Sequence, residues 1–457
     1  MLKLMSDTPI NDSELPGITP VPTLSALQQL IAANHITQGE NLTTGSYRGY
    51  HLQSGFQPIF SLAHERPVGV EALLRAKKNN EFIPPPFLFE LAAAQNETLL
   101  LDRICRAIHV ANFGATNLNP GWLFLNINPH IMLDGKHSGI FFTPEVLDRY
   151  GIAPHRVVVE ILEKEIKDEG LLVEAVQHYQ HAGCLVAVDD FGAGQSNFDR
   201  IWRLQPDIVK LDRSIIANAV HNKAARRIFP SLVDLIHEAG CLVLVEGIET
   251  ETEANITMDS DVDFVQGFFF SRPTINPDEI ESGQLPLLHD LSCDMRFLTM
   301  DQTQRDRMII TDYVGQFWTC TQALQEHFNL QNACSPMLKD VDVKRFFLLS
   351  ENGRQIGNNL SAPDVIDNVP PRFQPLSNAE KADWSRRDYY RRAINQPGEI
   401  HISGPYFSLP DAATCVTLSR SIRYNDLTYV LCCDLQWHGN THLITGSVGP
   451  WNYPENR

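Results

Sequence analysis

No stretch of this 457-residue chain approaches the roughly 18 consecutive apolar residues that a helix needs to cross a bilayer. No two cysteines stand in a C-x-x-C spacing, which disfavours a structural zinc site. The nine that exist, Cys105, Cys184, Cys241, Cys293, Cys320, Cys334, Cys415, Cys432 and Cys433, are odd in number and scattered, as reduced thiols are. The vicinal pair in "YVLCCDL" reads as small apolar strand residues ahead of a redox switch. Positive charge is scarce: 37 Lys and Arg face 55 Asp and Glu, a formal net charge of −18. That excludes the basic footprint of a protein that binds a nucleic-acid polymer or an anionic membrane. A small anionic ligand held by a few local cations or metals stays open. The opening residues, "MLKLMSDTPINDSELPGITP", lack the apolar core of a secretory leader, so a cytoplasmic protein is expected.

What is present is ordinary globular material, 43% hydrophobic, in a regular alternation. Residues 1–45 are rich in Pro, Ser, Thr and Asn, with one short helical pattern at "LSALQQLIAAN", and read as a mobile lead-in. Over 46–285, short apolar runs alternate with amphipathic helical patterns. The runs include "GFQPIFSL", "VGVEALLRA", "WLFLNINP", "RVVVEILE", "CLVAVDDFG", "DIVKLDR", "CLVLVEGIE" and "DFVQGFFFSRP". Near-continuous Val/Ile/Leu runs belong to strands buried on both faces. Their alternation with helices predicts a (β/α)8 barrel, with a doubly wound open sheet as the competitor. A linking helical segment is expected over 286–335. Ile310, Tyr313, Val314, Phe317, Leu324 and Phe328 make one stripe on it, able to pack on the barrel, on the next domain or on a second copy. Residues 336–457 read as a separate α+β domain.

The chemistry gathers where the barrel runs end. Glu71, Asn126, Glu160, the adjacent Asp189 and Asp190, and Glu246 each follow an apolar stretch. Carboxylates are disfavoured in strands, and strand C-termini of a parallel barrel converge on one mouth. One acid could be a loop or cap residue, but a series in register calls for a common cause. An all-oxygen set of carboxylates and one amide suits a hard divalent cation, Mg²⁺ or Mn²⁺. Two such ions bring about four positive charges and are the usual device for phosphodiester hydrolysis. Lys210 would point into the same mouth, either as a structural ion pair or to hold water or stabilise phosphate charge. Gln266 could position the water. Arg75 suits a phosphate clamp, or a solvated surface arginine.

In order and approximate spacing, "EALLR" (71–75), "NINP" (126–129), "EILE" (160–163), "DDFGAG" (189–194), "KLDRS" (210–214), "EGIET" (246–250) and "QGF" (266–268) resemble the EAL-domain cyclic di-GMP phosphodiesterases. The resemblance implies a modified TIM barrel whose first strand runs antiparallel. It implies hydrolysis of cyclic di-GMP to pGpG with two Mg²⁺ or Mn²⁺ ions. By the same resemblance, Glu71, Asn126, Glu160, Asp189, Asp190 and Glu246 are the expected metal ligands. Lys210, Gln266 and Glu249 match catalytic positions, and Gln57, Leu73, Arg75 and Asp212 match positions that touch substrate. Glu163 matches an acid that steadies the loop after the aspartate pair, a loop tied to dimerisation, so a homodimer is expected. Asn197 stands where the family usually has a serine. The segment "ELAAAQNE" lacks the family's usual acid after its first alanine.

The last domain is similar to PAS or Cache sensor modules, on "RRDYY", "GPYFS", "VTLSRSI" and "VLCCDLQW". That implies a small-molecule ligand near Arg387, Tyr389, Tyr390, Tyr406 and Asp434, and a regulatory role; a domain that only dimerises is the other reading. A catalytically silent cyclic di-GMP receptor is the alternative function, and a hydrolase of another phosphodiester a third.

Overall fold

The computed structural model describes residues 25–39, 42–114, 118, 121–127, 142–162, 169–193, 198–276, 279–280, 285–363, 365, 379–408, 413–437 and 446–448. The chain divides into two units, Met1–Met295 and Arg296–Arg457.

In the first unit, β1 (Ile36–Gln38) and β2 (Thr43–Tyr47) lead into a long hairpin of β3 (Tyr50–Ser61) and β4 (Arg66–Lys78), with β5 (Glu81–Ile83) on its edge. Then come β6 (Trp122–Asn126), β7 (Val157–Leu162), β8 (Leu185–Phe191), β9 (Ile208–Leu211), β10 (Leu242–Val245) and β11 (Phe264–Val265). The order β3-β11-β10-β9-β8-β7-β6-β4 closes on itself through the β3–β4 pairing, which makes an eight-stranded barrel. The open-sheet alternative is therefore overturned. Strand β3 is antiparallel to both neighbours, β4 and β11, and the remaining neighbours are parallel.

Alternation along the strands sorts the side chains. Outward residues such as Leu123, Val157, Val159, Val186, Val209 and Val243 pack under the helices. Inward residues Ile59, Phe124, Val158, Ala187, Ile208, Leu244 and Phe264 fill the barrel. Gly69 belongs to this inner layer: a Cβ there would stand 2.9 Å from the Phe124 ring. Its missing side chain leaves the space that the phenylalanine takes.

Within the expected lead-in, the described residues begin at Ser25. Ser25 and Gln28 form a reciprocal capping box that starts the helix Ala26–Ala32, and Leu27 and Leu30 are buried. This is the short helical pattern that "LSALQQLIAAN" shows in the sequence.

A buried polar network staples β2 to the barrel. On the helix Thr98–Phe113, Asn112 exchanges two hydrogen bonds with the backbone of Thr43, at 2.7 and 2.8 Å. Its Nδ2 also donates to Ser54 Oγ at 3.0 Å, and His109 Nδ1 lies 2.9 Å from the same oxygen. Burial, aided by the Arg75 charge, pulls the His109 pKa down to about 3. Between an unfolded value near 6.5 and about 3, the unfolded chain binds a proton that the folded chain refuses. Stability is therefore full above pH 6.5 and falls on acidification, by up to about 1.4 kcal/mol per pH unit. His109→Gln should cost stability at pH 7, and that deficit should shrink steadily as urea melts are moved from about pH 6.5 toward 3. A deficit independent of pH would mean that His109 is not held neutral.

In the second unit the strands are β12 (Val343–Ser350), β13 (Gln355–Ser361), β14 (Ile400–Ile402), β15 (Tyr406–Ser408), β16 (Ala413–Tyr424), β17 (Leu427–Gln436) and β18 (Gly446–Val448). They form one antiparallel sheet, β13-β12-β17-β16-β14-β18, with β15 on β16. The expected linking segment is a 42-residue helix, Pro286–His327, followed by the short helix Leu330–Cys334. Ile310, Tyr313, Val314, Phe317 and Leu324 pack with Phe346, Leu418, Leu431 and Cys433 on one face of the sheet. The Arg420 guanidinium lies 3.8 Å over the Trp318 ring and donates to Thr321 Oγ1 at 2.7 Å, tying helix to sheet. On the other face the helix Asp388–Asn395 packs Tyr389, Tyr390 and Ala393 with Phe347, Val430 and Cys432. Vicinal Cys432 and Cys433 thus point to opposite faces, as successive strand residues must.

Candidate active site

Two residues toward the mouth from the apolar inner layer, every barrel strand changes character. Phe124 is followed by Asn126, Val158 by Glu160, Ala187 by Asp189, Ile208 by Lys210, Leu244 by Glu246 and Phe264 by Gln266. On β4 the same step leads from Gly69 to Glu71. On β3, which runs the other way, Gln57 precedes Ile59, and it pairs in register with Glu71. A side-chain period of two makes these eight residues one ring on top of the apolar plug. All eight are polar and four are acids.

Lys210 is the hub of the ring. Its buried ammonium lies 2.5 Å from Glu160 Oε1 and 3.3 Å from Asp189 Oδ1, and it pairs with Glu246 Oε1 as well. Glu71 is a second node: it accepts from Asn126 Nδ2 at 3.0 Å and from Gln266 Nε2 at 2.8 Å. Burial drives the Glu160 pKa well above the carboxylate range against the pull of Lys210, and it pushes Glu246 up to about 8. Burial also opposes the charge on Lys210, but Asp189, Glu160, Glu246 and Glu71 outweigh it and hold that pKa well above the lysine range. One ammonium thus faces four acids, and for two of them, Glu160 and Glu246, burial favours the neutral form.

The donor set fits a hard cation in composition. Glu160 Oε2 and Gln266 Oε1 are buried with no hydrogen-bond partner among the described residues, an arrangement that costs free energy unless something completes it. Among the described residues no three acids stand together as a ready cation cage. Lys210 reaches between Glu160, Asp189 and Glu246 and takes up their charge itself.

Asp190 follows Asp189 with a left-handed backbone, φ 58°, and a bulge shifts the β8–β9 register between Val188 and Phe191. The bulge breaks the alternation that would otherwise send two successive carboxylates to opposite faces. Asp189 Oδ1 also accepts from the Asp190 N–H at 2.8 Å.

Arg75 stands two strand steps beyond Leu73 and four beyond Glu71, on the same face of β4. Its side chain lies along Gly55, where a Cβ would meet Arg75 Cγ and Nε at 3.1 Å. Its Nη1 donates to the Leu74 carbonyl at 3.0 Å, and burial pulls its pKa down against Glu71. Gln57 is buried and donates to the Ser271 carbonyl at 3.3 Å.

Other expected residues lie apart from the ring. Asp212 caps the helix Arg213–His221 through the Ser214 N–H at 3.0 Å. Glu249 makes a two-pronged pair with Arg213, both contacts 2.5 Å. That partner was not foreseen, because nothing in "KLDRS" or "EGIET" ties one to the other. Gly267 was also missed as a support: a Cβ there would stand 2.0 Å from the Ile248 carbonyl oxygen, so only glycine lets the Gln266 segment lie against that backbone. Glu163 and Asn197 fall outside the described residues.

In the second unit, Arg387, Tyr389, Tyr406 and Asp434 come together. Tyr406 donates to Asp434 Oδ1 at 2.8 Å, and Thr417 Oγ1 shares that oxygen at 2.9 Å. Arg345 Nε pairs with the other oxygen at 3.5 Å. The Arg387 guanidinium faces the Tyr406 ring at 5.7 Å, and Tyr389 lies 6.3 Å from it. The Tyr390 hydroxyl leaves this cluster and donates to the Glu351 carbonyl.

The EAL domain family model matches residues 43–273. YkuI of Bacillus subtilis (strain 168), an uncharacterized EAL-domain containing protein, is 28% identical over 355 residues, which take in 74% of this chain and 83% of that protein. The cyclic di-GMP phosphodiesterase PdeF of Escherichia coli (strain K12) is 27% identical over 222 residues, 48% of this chain and 29% of that protein. The chain spans between 20% and 42% of the length of six curated relatives that it matches, PdeF among them. Among solved structures, that of Bacillus subtilis YkuI, with an EAL domain and in complex with substrate c-di-GMP and calcium, superposes with a TM-score of 0.69 at 23% identity. It covers 84% of this chain and 96% of that one, so the shared fold extends well past the family match.

Proposed function

The chain belongs to the EAL-domain family, and from that premise we propose that it hydrolyses cyclic di-GMP to linear pGpG. The observation that carries the proposal is the complete polar ring, with an acid or amide, or the Lys210 ammonium, on every strand. Glu71, Asn126, Glu160, Asp189, Asp190 and Glu246 would hold two divalent cations, Mg²⁺ or Mn²⁺. When bound, such ions lower the pKa of a water and offset phosphate charge.

The chain's own residues do the rest. Gln266, fixed by its bond to Glu71, orients the attacking water, and Lys210 stabilises charge that grows on the phosphate. Arg75, laid on Gly55, reaches the phosphate from β4. Gln57, Leu73 and Asp212 contact the dinucleotide along the rim. Glu249 acts from outside the ring through Arg213, and Glu163 steadies the loop after the aspartates. The test is to incubate the purified protein with cyclic di-GMP and Mg²⁺ or Mn²⁺ and to look for pGpG. Folded protein that makes none at any metal concentration overturns the proposal. Tight binding without turnover would favour the receptor reading, for which the closed Lys210 cluster offers a stable metal-free state.

Gly267→Ala should displace Gln266, because Ile248 is held on both sides: its N–H donates to the Gln266 carbonyl and its own carbonyl accepts from Phe269. A shift of about 1 Å at a positioning group costs about 100-fold in rate. A kcat within threefold of the parent would remove Gln266 from the chemistry.

We propose further that the second unit regulates turnover, with Arg387, Tyr389, Tyr390, Tyr406 and Asp434 as the place for a small ligand, and that the protein works as a homodimer. The support for the ligand place is that Asp434, buried and held by Arg345, Tyr406 and Thr417, stands beside the Arg387 guanidinium and the Tyr389 ring.

A further inference from the structure

At the end of the barrel away from the ring, the turn between β3 and β4 meets the start of the long helix. The Leu285 N–H donates to the Glu65 carbonyl at 2.8 Å. Leu288 and Leu291 are buried in the apolar layer that also holds Val243 and Val265, so the first turns of the helix are fixed on the barrel. His289 and Cys293 stand four residues apart on those turns, share one side of the helix and are exposed.

Three side chains line up there. Cys293 Sγ lies 3.7 Å from His289 Nε2, and His289 Nδ1 lies 2.8 Å from Glu65 Oε2. An ionised carboxylate can only accept, so the Glu65 bond puts the ring proton on Nδ1 and leaves the Nε2 lone pair toward the thiol. Nucleophile, base and orienting acid in this order are the arrangement that activates a thiol. Glu65 comes from 224 positions earlier in the chain than His289, so helix spacing alone does not produce the relay. Of the nine cysteines Cys293 alone is exposed, and a small reagent in solution meets it first.

We propose that Cys293 is a thiol–disulfide exchange site for low-molecular-weight disulfides, with His289 as its base and Glu65 as the residue that positions the base. The Cys293 proton passes to His289 Nε2 as Sγ attacks one sulfur of the disulfide. A bond forms between Cys293 Sγ and that sulfur, and the S–S bond of the reagent breaks. The departing thiolate leaves with the electron pair and takes the proton from His289. Cys293 is thereby oxidised to a mixed disulfide, and the other half of the reagent is reduced to a thiol. The adduct stands three residues before the second unit begins at Arg296, on the helix that runs into it. This inference does not depend on the catalytic reading.

The test is stopped-flow mixing of the reduced full chain with excess dithiodipyridine, a neutral chromogenic disulfide, at pH 7, with mass spectrometry of the product. One equivalent should react in a fast phase, and Cys293→Ser should abolish that phase. An ordinary thiol at pH 7 is only a few per cent thiolate, so His289→Ala should slow the fast phase by about 10-fold or more. Free imidazole should restore the lost rate in proportion to its concentration, which a histidine acting through shape alone would not allow. Glu65→Gln keeps a hydrogen-bond acceptor but removes the charge behind a protonated His289, and should fall between the parent and His289→Ala. A fast phase that survives Cys293→Ser overturns the site. A His289→Ala rate within threefold of the parent, or a loss that imidazole leaves unrepaired, overturns the relay. A Glu65→Gln rate equal to the parent's overturns the role of Glu65.

Discussion

Glu71→Ala is expected to lower turnover of cyclic di-GMP by about 1000-fold, the scale of removing a group that holds charge at a reacting phosphate. Glu71 does two things at once. It brings one of the four acids to the ring, and it holds Asn126 and Gln266 through separate oxygens. Alanine removes both, so the amide set on β6 and the amide beyond β11 lose their common anchor. Glu71→Gln keeps the volume and drops the charge, and should retain no more than about 1% of the parent rate. The measurement is kcat at saturating metal, with circular dichroism to show that the barrel persists. Alanine turnover within tenfold of the parent would displace Glu71 from the centre of the chemistry.

Lys210→Met should have its largest effect on stability without metal. The ammonium is the countercharge that Glu160, Asp189 and Glu246 share. Removing one partner of a buried ionic cluster costs about 3–5 kcal/mol, since the remaining charges stay buried and uncompensated. At about 2–4 °C per kcal/mol for a unit of this size, the melting temperature in EDTA should fall by about 10 °C. Saturating Mn²⁺ should return most of that loss, because a ligand bound only by the folded state stabilises it by mass action. A variant that melts with the parent in EDTA would mean the acids are neutralised by protonation, not by Lys210.

The barrel was legible because its strands are buried on both faces and so read as unbroken Val/Ile/Leu runs. The ring was legible for a related reason. An acid or amide at the end of such a run violates strand preference, and Glu71, Asn126, Glu160, Asp189 and Glu246 do so on five of the barrel strands. What could not be read was pairing across the chain. That Lys210 reaches three acids depends on barrel closure, and that Glu249 meets Arg213 depends on how the loop after β10 lies against the start of the helix Arg213–His221. The helical pattern after Ser25 was legible, but its reciprocal capping box shows in the sequence only as two polar residues among others. Two glycines, Gly69 and Gly267, carry their meaning only when the neighbour that fills their space is known.

The reversed β3 has a topological consequence for how the chain enters this barrel. In a barrel with all strands parallel, the chain enters at the floor, and whatever precedes it hangs from the end away from the chemistry. Here the chain comes in from the rim. Residues 50–56 of β3 stand on the mouth side of Gln57, and β2 pairs with that protruding arm, as Gly45 does with Leu52. The chain that leads into β3 therefore joins the barrel from the side of the mouth, not from its floor.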